Sequence, residues 1–377
     1  MTCISNVLIV GGGIAGLSAA IALSRIGIQC EVVELSGEAL GASLGISGRA
    51  ANALDELGVY DACYAEAAVY NAETSTALYR WDAAGELIMA APPSMWNWPG
   101  AKAPIAMHRP VLLRILRETA ESLGVKIHLG VTTETIEEQG DSTQVTLTNG
   151  ASGTYDLLIG ADGIGSATRK AFFPDAPAPT YVGQLSLRWM APGPPVQPEG
   201  WYFGPKGRLG FYYLPQGVTY IPAVVDWPER VHLDDAAALA LFTDLLDSYT
   251  APAMVELRSR LTPDAKVIAR PFEWLLVPGP WHRGRTLLIG DAAHATTAHL
   301  GMGGGMALED AVVLAQCLSG AATLAEALEA FMVRRFERVK TVVEGSVALS
   351  RLEKEKAPPA QGLQFILAAA AKLSEPY

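Results

Sequence analysis

Gly11, Gly13 and Gly16 stand as Gly-x-Gly-x-x-Gly between an apolar run, NVLIV, and a helix-forming run, IAGLSAAIALSR. Gly11 permits a tight turn, Gly13 lets backbone approach a ligand closely, and Gly16 allows a helix to pack tightly. Ala15, inside the motif, is small enough not to obstruct that approach. A diphosphate then sits against the free N–H groups of a helix N-terminus, where the helix dipole favours an anion. QCEVVE follows and ends in Glu34, about 20 residues on, placed to accept hydrogen bonds from a ribose. A carboxylate there suits an unphosphorylated ribose, so the site reads as one for NAD or FAD rather than NADP.

A second glycine-rich stretch, LLIGDAAHATTAHLGMGGGMALEDA, carries Asp291, His294, His299, Gly301, Gly303 and Gly304. It could hold a metal, a phosphate or a larger group. Two histidines five residues apart in a loop, with no cysteine or carboxylate cluster, are poor zinc spacing, so no metal is expected. A third stretch, GRLGFYYLPQGVTY, offers Arg208, Tyr212 and Tyr220 on two strand-like runs. Alternation places Arg208, Gly210 and Tyr212 on one face and Leu209, Phe211 and Tyr213 on the other.

The chain has 377 residues, half of them hydrophobic, enough for two domains or one with an inserted lobe. A net charge of -11 argues against nucleic acid and anionic membrane surfaces as partners. Cys3, Cys30, Cys63 and Cys317 are widely spaced, as reduced thiols would be. MTCISN has no basic leader, and the apolar run from Val7 to Leu23 is broken by the glycine turn, so a soluble, cytoplasmic protein is expected.

The elements that must position these residues follow from periodicity. LGISGRAANALDELGVYDACYAEA reads as a loop and two short helices, and STALYRWDAAGELIMAAPP as a hairpin around Asp82 to Gly85. MHRPVLLRILRETAESLGVKIHLG is an amphipathic helix and a strand, VTTETIEEQGDSTQVTLTNG a hairpin, and TYDLLIGADG a buried strand. From about residue 173 the chain becomes strand-like and rich in aromatics, with Trp189, Trp201, Trp227, Trp274 and Trp281. The fold class is α/β: a discontinuous Rossmann-like domain (1–73, 101–172 and 276–350), an inserted antiparallel-sheet substrate domain (74–100 and 173–275) and a C-terminal helix (351–377).

GGGIAG with Glu34, DLLIGADGIGSATR and LLIGDAAHATTAHLGMGGGMALEDA, in that order, resemble the single-component FAD-dependent aromatic hydroxylases of the p-hydroxybenzoate hydroxylase type. The motifs cover the nucleotide domain, and the middle lobe matches in general layout. The resemblance implies that Asp291 bonds the ribityl chain of FAD, and that the Gly301–Gly305 loop lies against the flavin ring. It places the N-terminus of a helix starting near Gly304 at the flavin N1–C2=O edge. Asp162 and Gly163 contact FAD, Arg169 completes that motif, and Arg109 reaches the ribose-pyrophosphate.

The implied reaction is NAD(P)H-dependent monooxygenation: NADH or NADPH serves as a transient reductant, and a flavin C4a-hydroperoxide delivers OH to an electron-rich ring. The expected partners are a small hydroxylated aromatic or N-heteroaromatic substrate and O2, with bicyclic purine- or quinolone-like rings as runners-up. A monomer or homodimer is expected. Tyr212 and Tyr220, assisted by Arg208, are the expected groups that polarise the substrate, with Arg188 and His108 next. The family usually has Pro where this chain has Ala298, often Gln where it has Met302, and often Pro-Asn at Gly48-Arg49. The departures at Ala298 and Met302 keep a non-catalytic flavoprotein open as an alternative, and MWNW (Met95–Trp98) does the same for a flavin-dependent halogenase.

Overall fold

The structure, a computed structural model, describes residues 3–37, 43–69, 79–90 and 98–377. Its first sheet is built on the strand Asn6–Val10, four of whose five residues are buried. Gln29–Glu34 and Leu157–Gly160 pair with it in parallel on either side. Lys126–Leu129 extends one flank, and Thr286–Leu288 followed by the antiparallel edge His282–Arg283 extends the other. Continuous apolar strands of this kind need cover on both faces. The helices Ile14–Arg25 and Gly303–Gly320 share one core with the sheet, and a small satellite core holds Leu8, Val10 and Val33 under the three-stranded sheet of residues 133–155.

The glycine turn explains how the first helix starts. Gly11 has φ +113°, and a Cβ on it would lie 2.3 Å from the Ala161 carbonyl oxygen. A Cβ on Gly16 would lie 1.9 Å from the Gly11 carbonyl oxygen, so any side chain there pushes the helix off the strand.

The second sheet runs Val267–Trp274, Thr180–Pro192, Val218–Asp226, Gly207–Leu214, Gly200–Gly204, Arg80–Asp82, Leu87–Met89. Its inner face carries Leu185, Leu187, Trp189, Tyr202, Leu209 and Phe211 against the helices Asp235–Leu246 and Pro252–Ser259. The opposite face, which bears Arg188, Arg208, Tyr212 and Tyr220, turns toward the first sheet's glycine loops across a shared cavity.

Four features depart from the sequence reading. Ser43–Ile46, expected as loop, is a strand that pairs with Ile105–His108, which also takes Ala68–Val69. The second sheet is not wholly antiparallel: Gly200–Gly204 and Arg80–Asp82 run parallel, because the hairpin enters from an upstream part of the chain. Within LDDAAALALFTDLLDSY, Asp235–Leu246 forms a helix, capped by Asp234, whose side chain accepts from the Ala237 N–H. Trp281 belongs to the nucleotide-side core, 4.9 Å from the His294 ring, rather than to the aromatic sheet.

Two long helices close the molecule. Leu324–Lys354 starts with a capping box between Thr323 and Glu326, and Pro359–Ser374 packs back on it. A buried charge network ties Leu324–Lys354 to Gly303–Gly320. Arg335 Nε donates to Asp310 at 2.8 Å and its Nη1 to Glu309 at 2.6 Å. Arg338 donates to both Glu309 oxygens, at 2.7 and 2.9 Å. Burial alone would raise the Asp310 carboxyl, but His294 and Arg335 together hold it below its usual value. Such a network is costly to desolvate, so losing one partner costs more than the intact network contributes. Among the described residues, no helix is long and apolar enough to cross a membrane.

Candidate active site

A cavity of about 1080 Å³ lies between the two sheets. Single ligands commonly occupy about 300–1,000 Å³, so this space suits a large cofactor's reactive end together with a second molecule. On the nucleotide side its wall contains Gly13, Ala15, Arg109, Asp291, Gly301, Gly303 and Gly304. On the sheet side it contains Arg188, Arg208, Tyr212 and Tyr220.

The nucleotide wall has the features a dinucleotide needs. Helix Ile14–Arg25 begins at Gly13 with no side-chain cap, and helix Gly303–Gly320 begins at Met302 with none either. Both therefore present uncapped N–H groups to the cavity. A Cβ built on Gly13 meets nothing within 4 Å, so a side chain there would fill the cradle itself. Gly301 has φ +69°, a conformation that L side chains rarely adopt.

Glu34 ends its strand with its carboxylate folded back, accepting from the Gly12 N–H at 2.6 Å and the Ser36 N–H at 2.7 Å. Each oxygen keeps a lone pair for a ribose hydroxyl. The exposed surface of Asp291 faces the cavity, while dense protein around it pushes its carboxyl above the usual range, with His294 and Arg109 pulling the other way. Burial lowers the Arg109 guanidinium, which Asp291 and Glu34 partly restore and Arg188 opposes. These residues fit FAD: anion-binding helix ends for its diphosphate, acids for its hydroxyls, and a glycine-rich loop for its ring.

Not every expected contact faces the cavity. Gly11 and Gly16 shape the turn and, like Glu34, do not line it. The Asp162 side chain is turned inward, where it accepts from the Thr168 N–H at 3.0 Å and from the Ser166 hydroxyl. Its neighbours Ala161 and Gly163 line the wall instead. Arg169 is buried and donates to the Ala292 carbonyl at 2.8 Å, so it braces the loop beside Asp291. His294 is bound to Asp310 at 2.6 Å and serves the charge network beneath that loop.

On the sheet wall the three expected residues have different surroundings. Tyr212 and Tyr220 are register partners on neighbouring strands, with ring centroids 5.3 Å apart at 70°. The Tyr212 hydroxyl donates to Ser43 Oγ at 3.0 Å. Tyr220 is nearly buried, and its hydroxyl has no hydrogen-bond partner among the described residues. Burial raises its pKa, with Arg188 offsetting part of the rise, so it is a hydrogen-bond donor and a poor base. Arg208 is held by Glu353 at 2.6 Å and stacks 4.3 Å over the Trp201 ring, so its charge is already paired. Arg188 donates only to Ser186 Oγ, at 3.2 Å, and meets no carboxylate among the described residues.

Sequence reasoning ranked Arg188 below the tyrosines and expected only that His299 binds no metal. Arg188 sits on the cavity face because Leu185, Leu187 and Trp189 alternate into the core, a period-2 signal that was readable in QLSLRWM. His299 bonds Thr297 Oγ1 through Nδ1 at 2.9 Å, and its buried Nε2 has no hydrogen-bond partner among the described residues. Ala298 is exposed to the cavity, and Met302 is buried with its sulfur 3.9 Å from Ser47 Oγ. Gly48 has φ +60° and lies so close to Trp98 that a Cβ would meet the ring at 2.1 Å, which accounts for a glycine there. Arg49 Nε donates to the Ser374 carbonyl at 3.0 Å, fastening the C-terminal segment. Met95, Trp96 and Asn97 lie outside the described residues.

Comparison with known proteins agrees with this geometry. A family described as "FAD binding domain" matches residues 5–193 and 272–346. The chain is 32% identical over 360 residues to an aurachin C monooxygenase/isomerase of Stigmatella aurantiaca, covering 92% of this chain and 89% of that one. It is 30% identical over 362 residues to a 2-heptyl-3-hydroxy-4(1H)-quinolone synthase of Pseudomonas aeruginosa, covering 94% and 91%. The crystal structure of Klebsiella pneumoniae HpxO complexed with FAD and uric acid superposes with a TM-score of 0.79 at 25% identity, covering 99% of this chain and 93% of that one. By motif, matched span and superposition alike, this chain belongs to the FAD-binding-domain family of flavin-dependent aromatic monooxygenases.

Proposed function

We propose that this protein is an NAD(P)H-dependent monooxygenase that hydroxylates a bicyclic nitrogen heteroaromatic ring of the quinolone or purine kind. The carrying observation is a single cavity that sets the flavin loop, Gly301–Gly304, opposite Tyr220 and Arg188. Relatives whose names specify a quinolone product, and a solved relative holding uric acid, support the bicyclic ring. Bound FAD, reduced by NAD(P)H, supplies the oxygen-transfer chemistry: one atom of O2 enters the ring and the other leaves as water.

The chain's own residues bind, orient and polarise. The uncapped N-terminus of helix Gly303–Gly320 faces the cavity and stabilises negative charge on the reduced cofactor. Tyr220 remains protonated and donates to a ring oxygen. Arg188 favours the ionised ring hydroxyl, the form most reactive toward electrophilic oxygen, and the proton leaves to solvent. Arg208 keeps the wall in place through Glu353 rather than acting on the substrate.

The test is to incubate purified protein with NADH or NADPH, ¹⁸O2 and a panel of 4-quinolones, purines and hydroxypyridines. Substrate-stimulated NAD(P)H oxidation should accompany a product heavier by one labelled oxygen. Peroxide formation alone across the whole panel would remove the hydroxylase reading.

A further inference from the structure

Two methionines line the cavity, Met89 on the edge strand of the second sheet and Met302 in the glycine loop of the nucleotide wall. Met302 stands between Gly301 and Gly303, directly ahead of the uncapped helix Gly303–Gly320. It is 8% exposed, and its thioether sulfur accepts from Ser47 Oγ, on another lining residue, at 3.9 Å. What exposure it keeps therefore opens on the cavity rather than on bulk water. The loop around it is tight. A Cβ on Gly303 would lie 3.2 Å from Thr296, and one on Gly304 would lie 2.9 Å from Leu44. Other methionines are placed differently. Met306, one turn along the same helix, is 2% exposed, and its sulfur meets Arg335 Nη2 at 3.6 Å. The Met332 sulfur accepts from the Trp281 N–H at 3.3 Å, and Met190 packs beside Leu214 and Tyr220. None of these three lines the cavity.

We propose that Met302 is a reversible oxidation site, at which hydrogen peroxide formed in this cavity turns the thioether into a sulfoxide and slows the enzyme. The inference rests on the hydroxylase reading, because its oxidant comes from that reaction run without an aromatic substrate. NAD(P)H, a proton and O2 then yield NAD(P)+ and hydrogen peroxide. The sulfur lone pair attacks one peroxide oxygen, the O–O bond breaks and an S–O bond forms. The other oxygen leaves as water with both hydrogens. Peroxide is little larger than water, so it meets a sulfur in the cavity wall before it escapes to solvent. Ser47 favours the product: a thioether is a weak acceptor, whereas a sulfoxide oxygen is a strong one. Oxidation makes a flexible apolar side chain polar, and the tight loop has little room for the added oxygen. A cavity that leaks peroxide thus slows its own leak, and a methionine sulfoxide reductase restores it.

Purified holoenzyme is incubated with NADH or NADPH under ¹⁸O2 without an aromatic substrate, and separately with added hydrogen peroxide and no reductant. Peptide mass spectrometry then reads the oxygen gained at each methionine, and visible flavin absorbance verifies loading. During NAD(P)H oxidation, Met302 should gain labelled oxygen at least about tenfold faster than Met306 or Met332, since susceptibility follows access to the oxidant. Added peroxide should likewise oxidise Met302 ahead of Met306. The rate of NAD(P)H oxidation should fall at least about threefold after peroxide and return with methionine sulfoxide reductase and dithiothreitol. Met302→Leu should keep its own starting rate through the same treatment, while Met306→Leu should lose rate as the unmodified chain does. Met302 left unoxidised when Met190 and Met332 already carry oxygen overturns the site. Full oxidation of Met302 with no change in rate overturns the braking role. If no NAD(P)H is consumed, the hydroxylase reading fails instead. Added peroxide then decides the site alone, and oxidation of Met302 no faster than that of Met306 overturns it.

Discussion

At the residue scale, chemistry in this site depends on which polar groups are already committed. Tyr212 is held by Ser43 and Arg208 by Glu353, whereas Tyr220 and Arg188 line the cavity and neither meets a carboxylate among the described residues. Tyr220→Phe should therefore retain FAD and lose hydroxylation rate by roughly 10²-fold, a usual size for one positioned proton donor. Arg188 makes a separate prediction, readable without turnover. Ultraviolet absorbance of a bound hydroxyquinoline, titrated with pH, reports when its ring hydroxyl ionises. In Arg188→Met that ionisation should move up by about one to three pH units, and Arg188→Lys should recover part of the shift. An unchanged titration in the Met variant would take Arg188 out of substrate activation.

Elements explain how much of this was legible in the sequence. The Gly11–Gly16 turn, the strand ending in Glu34 and the loop after Asp291 were readable because each imposes a local rule: a glycine conformation, an apolar run, a spacing. The strand Ser43–Ile46 was not, since its partner Ile105–His108 lies some 60 residues away and no local pattern announces the pairing. Glu353 was equally hidden, because its meeting with Arg208 depends on where a 31-residue helix happens to end. That junction makes a pH prediction. His299 is wedged between Phe272, at 5.4 Å, and Glu353, at 3.6 Å. Burial, then the nearby Arg208 charge, holds its imidazole well below the ordinary 6.5. Below about pH 6.5 the unfolded chain binds a proton that the folded chain refuses, so stability falls as pH drops, by up to about 1.4 kcal/mol per pH unit. His282, lowered by burial, acts in the same sense. Urea unfolding at pH 7, 6 and 5 should show a shallower loss for His299→Gln than for the unmodified chain. Parallel losses would mean that His299 titrates alike in both states.

For the whole molecule, the C-terminal helix does two jobs that seem unrelated until the buried arginines are followed. Arg338 donates to the carbonyls of Lys372, Leu373 and Glu375 as well as to Glu309. Arg335, one turn earlier, holds Asp310, which holds His294 and the Gly290 N–H beneath the Asp291 loop. One chain of hydrogen bonds thus joins the last residues to the Asp291 loop on the nucleotide wall, while Leu363 and Ile366 of the same helix wall the far end of the cavity. Ending the chain after Ala357 would leave Arg338 short of three acceptors and expose the buried Ala369 and Leu373 contacts. Losing three acceptors from a buried charged donor costs several kcal/mol, and each kcal/mol moves the Tm of a 377-residue chain by about 1–1.5 °C. The shortened protein should melt at least about 5 °C lower and hold less FAD after gel filtration, even though no motif that binds FAD has been touched. Unchanged melting with full flavin content would show that the network ends at Arg338 and that the cofactor loop stands without the C-terminal helix.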